Sequence, residues 1–214
     1  MLKPRVAVLV SGGGTNLQAL IDARDAGTLF SGKLALVVSS KAGAFALARA
    51  KAAGIETEVV ERGSFSDQKA FEEALLRTLR RHQIDVVVLA GFMLILSAAF
   101  VSHYPDRMIN VHPSLIPAYC GKGYYGLKVH EAVLAAGESV TGATVHMVNE
   151  VPDGGAILMQ KRVPVLPGDT PQTLQRRVME QAEWSLLPQA AEMICFALLQ
   201  KQTEGNTDGS KSPV

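Results

Sequence analysis

Arg5-Val-Ala-Val-Leu-Val-Ser-Gly-Gly-Gly-Thr-Asn16 is the stretch that decides the fold. Its first half is a short apolar run rich in β-branched residues, which is typical of a buried strand in a parallel sheet. Three glycines follow, and from Leu17 onward apolar residues recur at helical spacing. A strand, a glycine loop and a helix in this order predict the opening unit of a doubly wound α/β protein.

The remainder of the chain alternates strand and helix patterns in the same way. Further strands are predicted at 34–38, 56–60, 86–90, 141–148 and 156–165, and helices at 44–53, 67–82, 128–136 and 171–187. Strand 86–90 is the most apolar and should lie at the sheet centre, and the last two strands should form an antiparallel hairpin. Pro188 should interrupt the final helix, which resumes to Leu199. The prediction is one domain over 1–202, a doubly wound, mostly parallel twisted sheet flanked by helices (Rossmann-like), and a disordered tail over 203–214.

The composition limits the classes of function that the chain can have. With 48% hydrophobic and 19% charged residues, the 214-residue chain resembles ordinary soluble proteins. A net charge of +1 gives no electrostatic case for a nucleic-acid or membrane partner, so small-molecule substrates are expected. The cysteines, Cys120 and Cys195, form neither a disulfide framework nor a zinc-ligand pattern, so no metal is expected. The apolar run 6–10 is too short for a signal or membrane segment, which favours a cytoplasmic protein.

The glycine loop has two open interpretations, a phosphate site or simply a tight turn. Backbone N–H groups and a helix N-terminus could together bind a phosphate. A dinucleotide fits less well, because Leu17 occupies the third glycine position of the usual fingerprint and Ser39-Ser-Lys41 replaces the expected acidic residue. Ser39-Ser-Lys41 could meet the extra phosphate of NADP, which keeps an oxidoreductase as a minor alternative. The candidate phosphate ligands are Gly13, Gly14, Thr15 and Asn16.

Candidate catalytic residues occur in Ile109-Asn-Val-His-Pro-Ser-Leu-Ile-Pro117. Asn110 and His112 stand two apart, so strand periodicity directs both side chains to the same face. The acidic turn Asp153-Gly-Gly155 follows downstream and could supply a carboxylate. An amide, an imidazole and a carboxylate together can stabilise an oxyanion and transfer a proton. His146 on its apolar strand is interpreted as a residue that supports this group from behind.

Five segments in order carry a resemblance to a known family: Ser11-Gly-Gly-Gly-Thr-Asn-Leu-Gln-Ala19, Ala90-Gly-Phe-Met93, Asn110-Val-His-Pro-Ser-Leu-Ile-Pro117, Thr141-Gly-Ala-Thr-Val-His146 and Asp153-Gly-Gly155. They resemble the folate-dependent phosphoribosylglycinamide formyltransferases, over about residues 5–188. The resemblance implies a Rossmann-like formyltransferase fold. It also implies transfer of the formyl group of 10-formyltetrahydrofolate, a co-substrate, to the amine of 5-phosphoribosylglycinamide in purine biosynthesis.

The resemblance also implies residue roles. The implied catalytic residues are Asn110, His112 and Asp153, with His146 and Ser114 supporting them. The implied ligands of the substrate phosphate are Gly13 to Asn16, and Glu183 would bind the ribose. The implied folate-binding residues are Phe92, Met93, Leu94, Ile95, Leu96, Val151 and Gly154. Leu94 and Gln68 stand where the family often carries arginines that meet the folate glutamate, and Lys69 or Lys122 could replace that charge.

The chemistry implied by these residues needs neither a nucleophilic serine nor a metal. The substrate amine would attack the formyl carbon directly, and a tetrahedral intermediate would form. The expected oligomeric state is a monomer or a homodimer. Besides the oxidoreductase, three alternatives remain: a formyltetrahydrofolate hydrolase, a different amine formyltransferase such as the methionyl-tRNA enzyme, and a non-catalytic nucleotide-binding module. The transfer-RNA enzyme would need a basic extension that this sequence lacks, and the binding module would leave Asn110, His112 and Asp153 unexplained.

Overall fold

The computed structural model describes residues 2–208 of the chain. Strands and helices alternate through most of this part. The strands are β1 (Arg5–Val10), β2 (Lys33–Ser39), β3 (Glu56–Val59), β4 (Val86–Leu89), β5 (Met108–His112), β6 (Val140–Met147) and β7 (Ile157–Pro164). The helices are α1 (Thr15–Asp25), α2 (Phe45–Ala52), α3 (Gln68–Arg81), α4 (Ala98–Val101), α5 (Leu127–Ala135), α6 (Pro171–Val178) and α7 (Trp184–Asp208).

The strands form one sheet in the order β3-β2-β1-β4-β5-β6-β7. The first five strands in that order run parallel, whereas β6 pairs antiparallel with β5, and β7 pairs antiparallel with β6. The predictions of a doubly wound, mostly parallel sheet, of β4 at its centre and of a final antiparallel hairpin are therefore confirmed. The β5–β6 register places Asn110 directly opposite His146.

The sheet is buried on both faces, as its parallel part requires. Alternate residues of β1 enter different core layers: Val6 and Val8 pack in the layer that contains helices α1 and α7, and Ala7 and Leu9 pack in the layer that contains α3. All four side chains are fully buried. Helices therefore cover both faces and leave the strand ends as the place where ligands can reach the sheet. No helix among the described residues is long and apolar enough to cross a membrane.

The C-terminal helices depart from the sequence prediction. Helix α6 begins as predicted, with the Thr170 hydroxyl accepting a hydrogen bond from the Thr173 N–H at 3.2 Å. Pro188 does not interrupt the helix, because it lies within α7, which begins directly after a π-helical turn over Met179–Glu183. Residues 203–208 of the predicted tail are helical, and residues 209–214 lie outside the described part.

Candidate active site

A cavity of about 810 Å³ opens at the carboxyl ends of β1, β4 and β5, where ligands bind in doubly wound sheets. Two groups of polar or glycine residues line this cavity. The first group, here called the glycine loop, is residues 12–16 between β1 and α1. The second group, here called the polar cluster, consists of Asn110, His112, His146 and Asp153. The segments 89–96, 121–126 and 148–152 form much of the remaining wall.

Asn110 joins β5 to the other two segments of the polar cluster. Its Nδ2 lies 3.2 Å from Nε2 of His146 and donates a longer hydrogen bond of 3.4 Å to Oδ1 of Asp153. Nδ1 of His146 lies 2.7 Å from the carbonyl oxygen of Met147, which can only accept, so Nδ1 of His146 carries a hydrogen. Nε2 of His146 therefore faces both the Asn110 amide and the Asp153 carboxylate, and these contacts fix the orientation of the amide.

His112 projects to the same face as Asn110, as the strand period predicts. Its Nε2 donates to the carbonyl oxygen of Tyr119 at 2.8 Å, and its Nδ1 lies 3.4 Å from Oδ2 of Asp153. Burial lowers the pKa of His112, and the charge of Asp153 and the Tyr119 carbonyl only partly offset this effect. His112 is therefore more readily neutral than a solvent-exposed histidine.

Asp153 lies between the two imidazoles. Its Oδ1 is 3.4 Å from Nε2 of His146, and its Oδ2 accepts a hydrogen bond from the Gly121 N–H at 2.9 Å. The backbone of Asp153 has a φ of 56°, a conformation that Asp adopts more readily than most residues. Burial alone would raise the pKa of Asp153, but the hydrogen bond with His146, the charge of His112 and the Gly121 N–H hold it below its usual value. The carboxylate is consequently ionised at neutral pH.

His146 and Ser114 differ in how they support the cluster. His146 lies in direct contact with both Asn110 and Asp153, and so belongs to the cluster itself. Ser114 lies outside the cavity lining, where its Oγ donates to the Ala118 carbonyl at 2.6 Å and its own carbonyl accepts from the Thr144 hydroxyl at 2.7 Å. Ser114 thus holds the chain that leaves β5.

The glycine loop places backbone N–H groups at the start of α1. Gly14 caps this helix with a φ of 73°, and a Cβ on Gly14 would come within 2.6 Å of the Ala46 side chain. The loop therefore requires glycine at this position for both conformation and space. Arg49 donates to the Gly13 carbonyl at 2.9 Å and fixes the outer side of the loop. The helix N-terminus and this compact loop form an arrangement suited to an anion.

Asn16 links the glycine loop to the π-helical turn. Its Nδ2 donates to Oε2 of Glu183 at 2.6 Å, while its Oδ1 is buried without a hydrogen-bond partner in the described structure. Burial raises the pKa of Glu183 to about 7, and the bond from Asn16 opposes that rise. Thr15, the other polar residue here, directs its hydroxyl to the Met179 sulfur at 3.7 Å. Glu183 and Asn16 thus leave a polar patch beside the loop that a hydroxyl-bearing ligand can satisfy.

The wall between the two groups is apolar and partly exposed. Met93, Ile95 and Val151 are each more than half exposed, and Phe92 and Leu94 are half-buried beside them. Leu96 differs, because it is 6% exposed and packs in the core layer beneath the wall. Gly154, unlike Leu96, lies outside the lining and instead closes the turn next to Val151, which a Cβ would meet at 2.6 Å.

Gln68 contacts this wall from helix α3. Its Nε2 donates to the Ile95 carbonyl at 3.1 Å and to Glu72 at 2.8 Å, and Glu72 accepts from the Ser97 N–H at 2.7 Å. Gln68 therefore fixes the path of residues 95–97 instead of presenting a charge to the cavity. Lys122 lines the cavity, whereas Lys69 is not part of the lining.

Sequence reasoning missed the backbone contacts of Tyr119 and Gly121 with the polar cluster. Both contacts use main-chain atoms, which leave no residue-type signal. It also missed Gln175 and Met179, which line the cavity from the C-terminal helical region. No group of three or more His, Cys, Asp or Glu side chains among the described residues is arranged to hold a metal ion.

Known proteins with similar sequences share this architecture. The profile of the formyl transferase family matches residues 4–191. Phosphoribosylglycinamide formyltransferase of Escherichia coli K12 is 43% identical over 176 residues, which cover 82% of this chain and 80% of that protein. The trifunctional purine biosynthetic protein adenosine-3 of Gallus gallus is 43% identical over 198 residues, or 92% of this chain. The chain spans only 14% to 19% of the length of such trifunctional relatives.

Solved structures agree with these relatives. Glycinamide ribonucleotide transformylase 1 from Symbiobacterium toebii superposes with a TM-score of 0.85 at 36% identity, covering 91% of this chain and 89% of that one. Phosphoribosylglycinamide formyltransferase from Brucella melitensis superposes with a TM-score of 0.82 at 42% identity, covering 91% and 96% of the two chains. The chain therefore belongs to the formyl transferase family, in the branch that contains the phosphoribosylglycinamide formyltransferases.

Proposed function

We propose that this protein transfers the formyl group of 10-formyltetrahydrofolate to the amine of 5-phosphoribosylglycinamide, giving the N-formyl product and tetrahydrofolate in purine biosynthesis. The observation that carries the proposal is the arrangement of one cavity: Asp153 between two imidazoles and Asn110 in one part, and the glycine loop with Glu183 in another. Such a cavity can hold a phosphorylated amine with its reacting nitrogen away from its phosphate. We take the cytoplasm as its location and a monomer or homodimer as its form.

The polar cluster supplies the three tasks that formyl transfer needs. The substrate amine attacks the formyl carbon, a C–N bond forms, and negative charge develops on the formyl oxygen. Asn110 donates to that oxygen, since its bond to Asp153 is 3.4 Å long and is easily exchanged for a better acceptor. His112, with Asp153 beside its Nδ1, accepts the one proton that the amine loses. The same proton then passes to N10 of the folate as the bond between N10 and the formyl carbon breaks.

The other residues that line the cavity bind the ribonucleotide and the folate. Backbone N–H groups of Gly13 to Asn16 and the dipole of α1 hold the phosphate. Glu183 and the free Oδ1 of Asn16 accept hydrogen bonds from ribose hydroxyls. The exposed apolar wall from Phe92 to Ile95, together with Val151, packs against the folate rings. No metal is needed, because the substrate amine is itself the nucleophile.

The test is an assay of the purified protein with 10-formyltetrahydrofolate, with and without 5-phosphoribosylglycinamide. We expect tetrahydrofolate and the formylated ribonucleotide in equal amounts only when both substrates are present. Release of formate without the ribonucleotide would instead identify a formyltetrahydrofolate hydrolase. Formylation of other amines at the same rate would identify a different branch of the family. Asn110→Ala, which leaves the glycine loop intact, is the matched inactive control.

A further inference from the structure

His112 lies between two hydrogen-bond acceptors that come from separate segments. Nε2 is 2.8 Å from the Tyr119 carbonyl oxygen, and Nδ1 is 3.4 Å from Oδ2 of Asp153. A carbonyl oxygen can only accept, so Nε2 must carry a hydrogen in every protonation state of the ring that keeps this bond. In neutral His112 the lone pair is then on Nδ1 and points to the carboxylate. An added proton can bind only at Nδ1.

The turn that supplies this carbonyl also holds Asp153. The Gly121 N–H donates to Oδ2 at 2.9 Å, so one turn contacts both members of the pair through its backbone. Tyr119 has a φ of 52° and Gly121 a φ of 82°, an unusual backbone that points the carbonyl and the N–H at the cluster. The Tyr119 hydroxyl donates to Glu138 at 2.8 Å and thereby anchors the turn from outside the cavity.

We propose that the turn Tyr119–Gly121 is a positioning element that sets the tautomer of His112, so that His112 accepts and releases the reaction's proton at Nδ1 beside Asp153. The inference rests on the proposed function. It differs from the arrangement in serine hydrolases, where a carboxylate accepts the Nδ1 hydrogen and Nε2 acts on the substrate. Here Nε2 donates its hydrogen to the Tyr119 carbonyl. The proton lost by the attacking amine therefore binds at Nδ1 before it is transferred to the folate nitrogen.

The titratable groups around His112 are consistent with a proton that binds at Nδ1 beside Asp153. Three titratable groups face His112: Asp153, His146 and, from helix α5, His130. Burial and the charge of His112 lower the pKa of His130 to about 4, so His130 is neutral at neutral pH. Asp153 is then the group that favours an added proton on His112. Imidazolium formed at Nδ1 would therefore gain a hydrogen bond to Asp153 that neutral His112 does not make.

The direct test is the tautomer itself, read from ¹⁵N chemical shifts of the His112 ring in ¹⁵N-labelled protein. In the wild type we expect neutral His112 to carry its hydrogen on Nε2. In Asp153→Asn we expect the same tautomer, because the introduced amide donates to the Nδ1 lone pair. A tautomer with the hydrogen on Nδ1 in the wild type, or a switch of tautomer in Asp153→Asn, would overturn the inference.

A second variant tests the role of the turn in catalysis. Tyr119→Phe removes the bond to Glu138, and we expect kcat to fall by roughly fivefold, as the loss of one hydrogen bond implies. We also expect a mixed His112 tautomer, a shifted pH–rate profile and an unchanged KM. Tyr104→Phe, which removes a hydroxyl in the opposite core layer, is the matched control and should behave like the wild type. A fall in kcat with neither a tautomer change nor a pH shift would contradict a positioning role.

The same measurements separate the two proposals. Formyl transfer by a wild-type protein whose neutral His112 carries its hydrogen on Nδ1 would refute the tautomer inference and leave the proposed function intact. Absence of formyl transfer would refute the proposed function, and with it the catalytic use of Nδ1.

Discussion

The glycine loop and the polar cluster line the same cavity but are built in opposite ways. The glycine loop offers backbone groups from a single continuous segment, residues 12–16, and its shape depends on the φ of Gly14 and its contact with Ala46. The polar cluster offers side chains from three segments: Asn110 and His112 on β5, His146 on β6, and Asp153 on a loop. A binding site can thus be local in sequence, whereas the cluster exists only after the sheet has formed.

The two regions also differ in how far their polar groups are satisfied. In the polar cluster Asn110, both imidazoles and the carboxylate all contact one another or the backbone. Beside the glycine loop, Oδ1 of Asn16 is buried without a partner in the described structure. An unpaired acceptor costs about 1–3 kcal/mol until a ligand satisfies it. We therefore expect changes at the loop to alter substrate binding and changes in the cluster to alter the chemical step.

Asp153→Asn should have the largest effect. It keeps the size of the side chain but removes the charge that favours a proton on His112, so kcat should fall by roughly a hundredfold or more while KM changes little. The acidic limb of the pH–rate profile should move to lower pH, because the pKa of His112 is no longer raised by a carboxylate. Steady-state kinetics over a range of pH measure both effects.

The double change of His112→Ala and Asp153→Asn sharpens this prediction. Since the two residues act as a unit, the loss of kcat in the double variant should be much smaller than the product of the losses in the two single variants. A single loss below about tenfold, which is too small for an acid–base role, would count against the assignment. A double variant whose loss of kcat equals the product of the two single losses would also count against the assignment. His103→Ala, a change of an exposed histidine on another surface, serves as the control.

Gly14→Val should act on binding and stability instead. The new side chain would overlap Ala46 and force a positive φ, which together destabilise the fold by about 2–4 kcal/mol. The KM for the ribonucleotide should rise roughly tenfold as phosphate contacts are lost, with folate binding nearly unchanged. Gly27→Val is the matched control, because Gly27 also has a φ of 73° but nothing lies near its absent Cβ. Calorimetry with each ligand measures the two affinities. Equal losses of affinity for both ligands would show that the two regions are not separate.

The same contrast explains what could be predicted from the sequence. The strand positions and the glycine loop follow from local patterns, because a buried parallel strand and a turn that requires glycine each show in a few adjacent residues. The side-by-side placement of Asn110 and His112 follows from the strand period. The acidic turn suggested Asp153 as a carboxylate, whereas only the resemblance to a known family brought in Glu183, because no local pattern connects it with β5.

Other features depend on tertiary contacts that sequence patterns do not encode. The direct contact of His146 with Asn110 follows from the β5–β6 register, which only the folded hairpin defines. Pro188 was predicted to interrupt the final helix, but it lies within α7, and no residue pattern marked the π-helical turn that precedes α7. Leu96, which was predicted to bind folate, lines the cavity but is 6% exposed, and no sequence pattern separates it from the exposed Met93 and Ile95. The Tyr119 carbonyl and the Gly121 N–H are main-chain groups without any residue signature.

Glu183→Gln tests the buried polar patch beside the glycine loop. The pKa of Glu183 is raised from 4.5 to about 7 by burial, so between these values the folded state holds a proton that the unfolded state has lost. The stability contributed by this proton is fully present below about pH 4.5 and is lost as the pH rises to about 7. Glutamine cannot ionise. The variant should therefore gain on the order of 2 kcal/mol relative to the wild type between pH 5 and pH 8, measured by denaturant unfolding. A difference that does not change with pH would show that Glu183 is not buried in this way.

Gln68→Ala should have the smallest effect, because it touches neither the glycine loop nor the polar cluster and acts only on the wall between them. The variant loses the hydrogen bonds to the Ile95 carbonyl and to Glu72, while Glu72 still accepts from the Ser97 N–H. An exposed hydrogen bond of this kind contributes about 0.5–1.5 kcal/mol, so the KM for the folate should rise by roughly threefold to fivefold. The KM for the ribonucleotide and kcat should stay within the error of the measurement.

Lys69→Ala, a change of the next residue on the same helix, is the control for Gln68→Ala and should leave all three constants unchanged unless Lys69 meets the folate glutamate. Comparing folates with one and with several glutamates separates these cases: a wall effect is the same for both, whereas an effect on a charge contact grows with the number of carboxylates. If Gln68→Ala lowers kcat as much as it raises the folate KM, the wall and the polar cluster are coupled. The division of the cavity into a local binding loop and an assembled reacting cluster would then have to include helix α3.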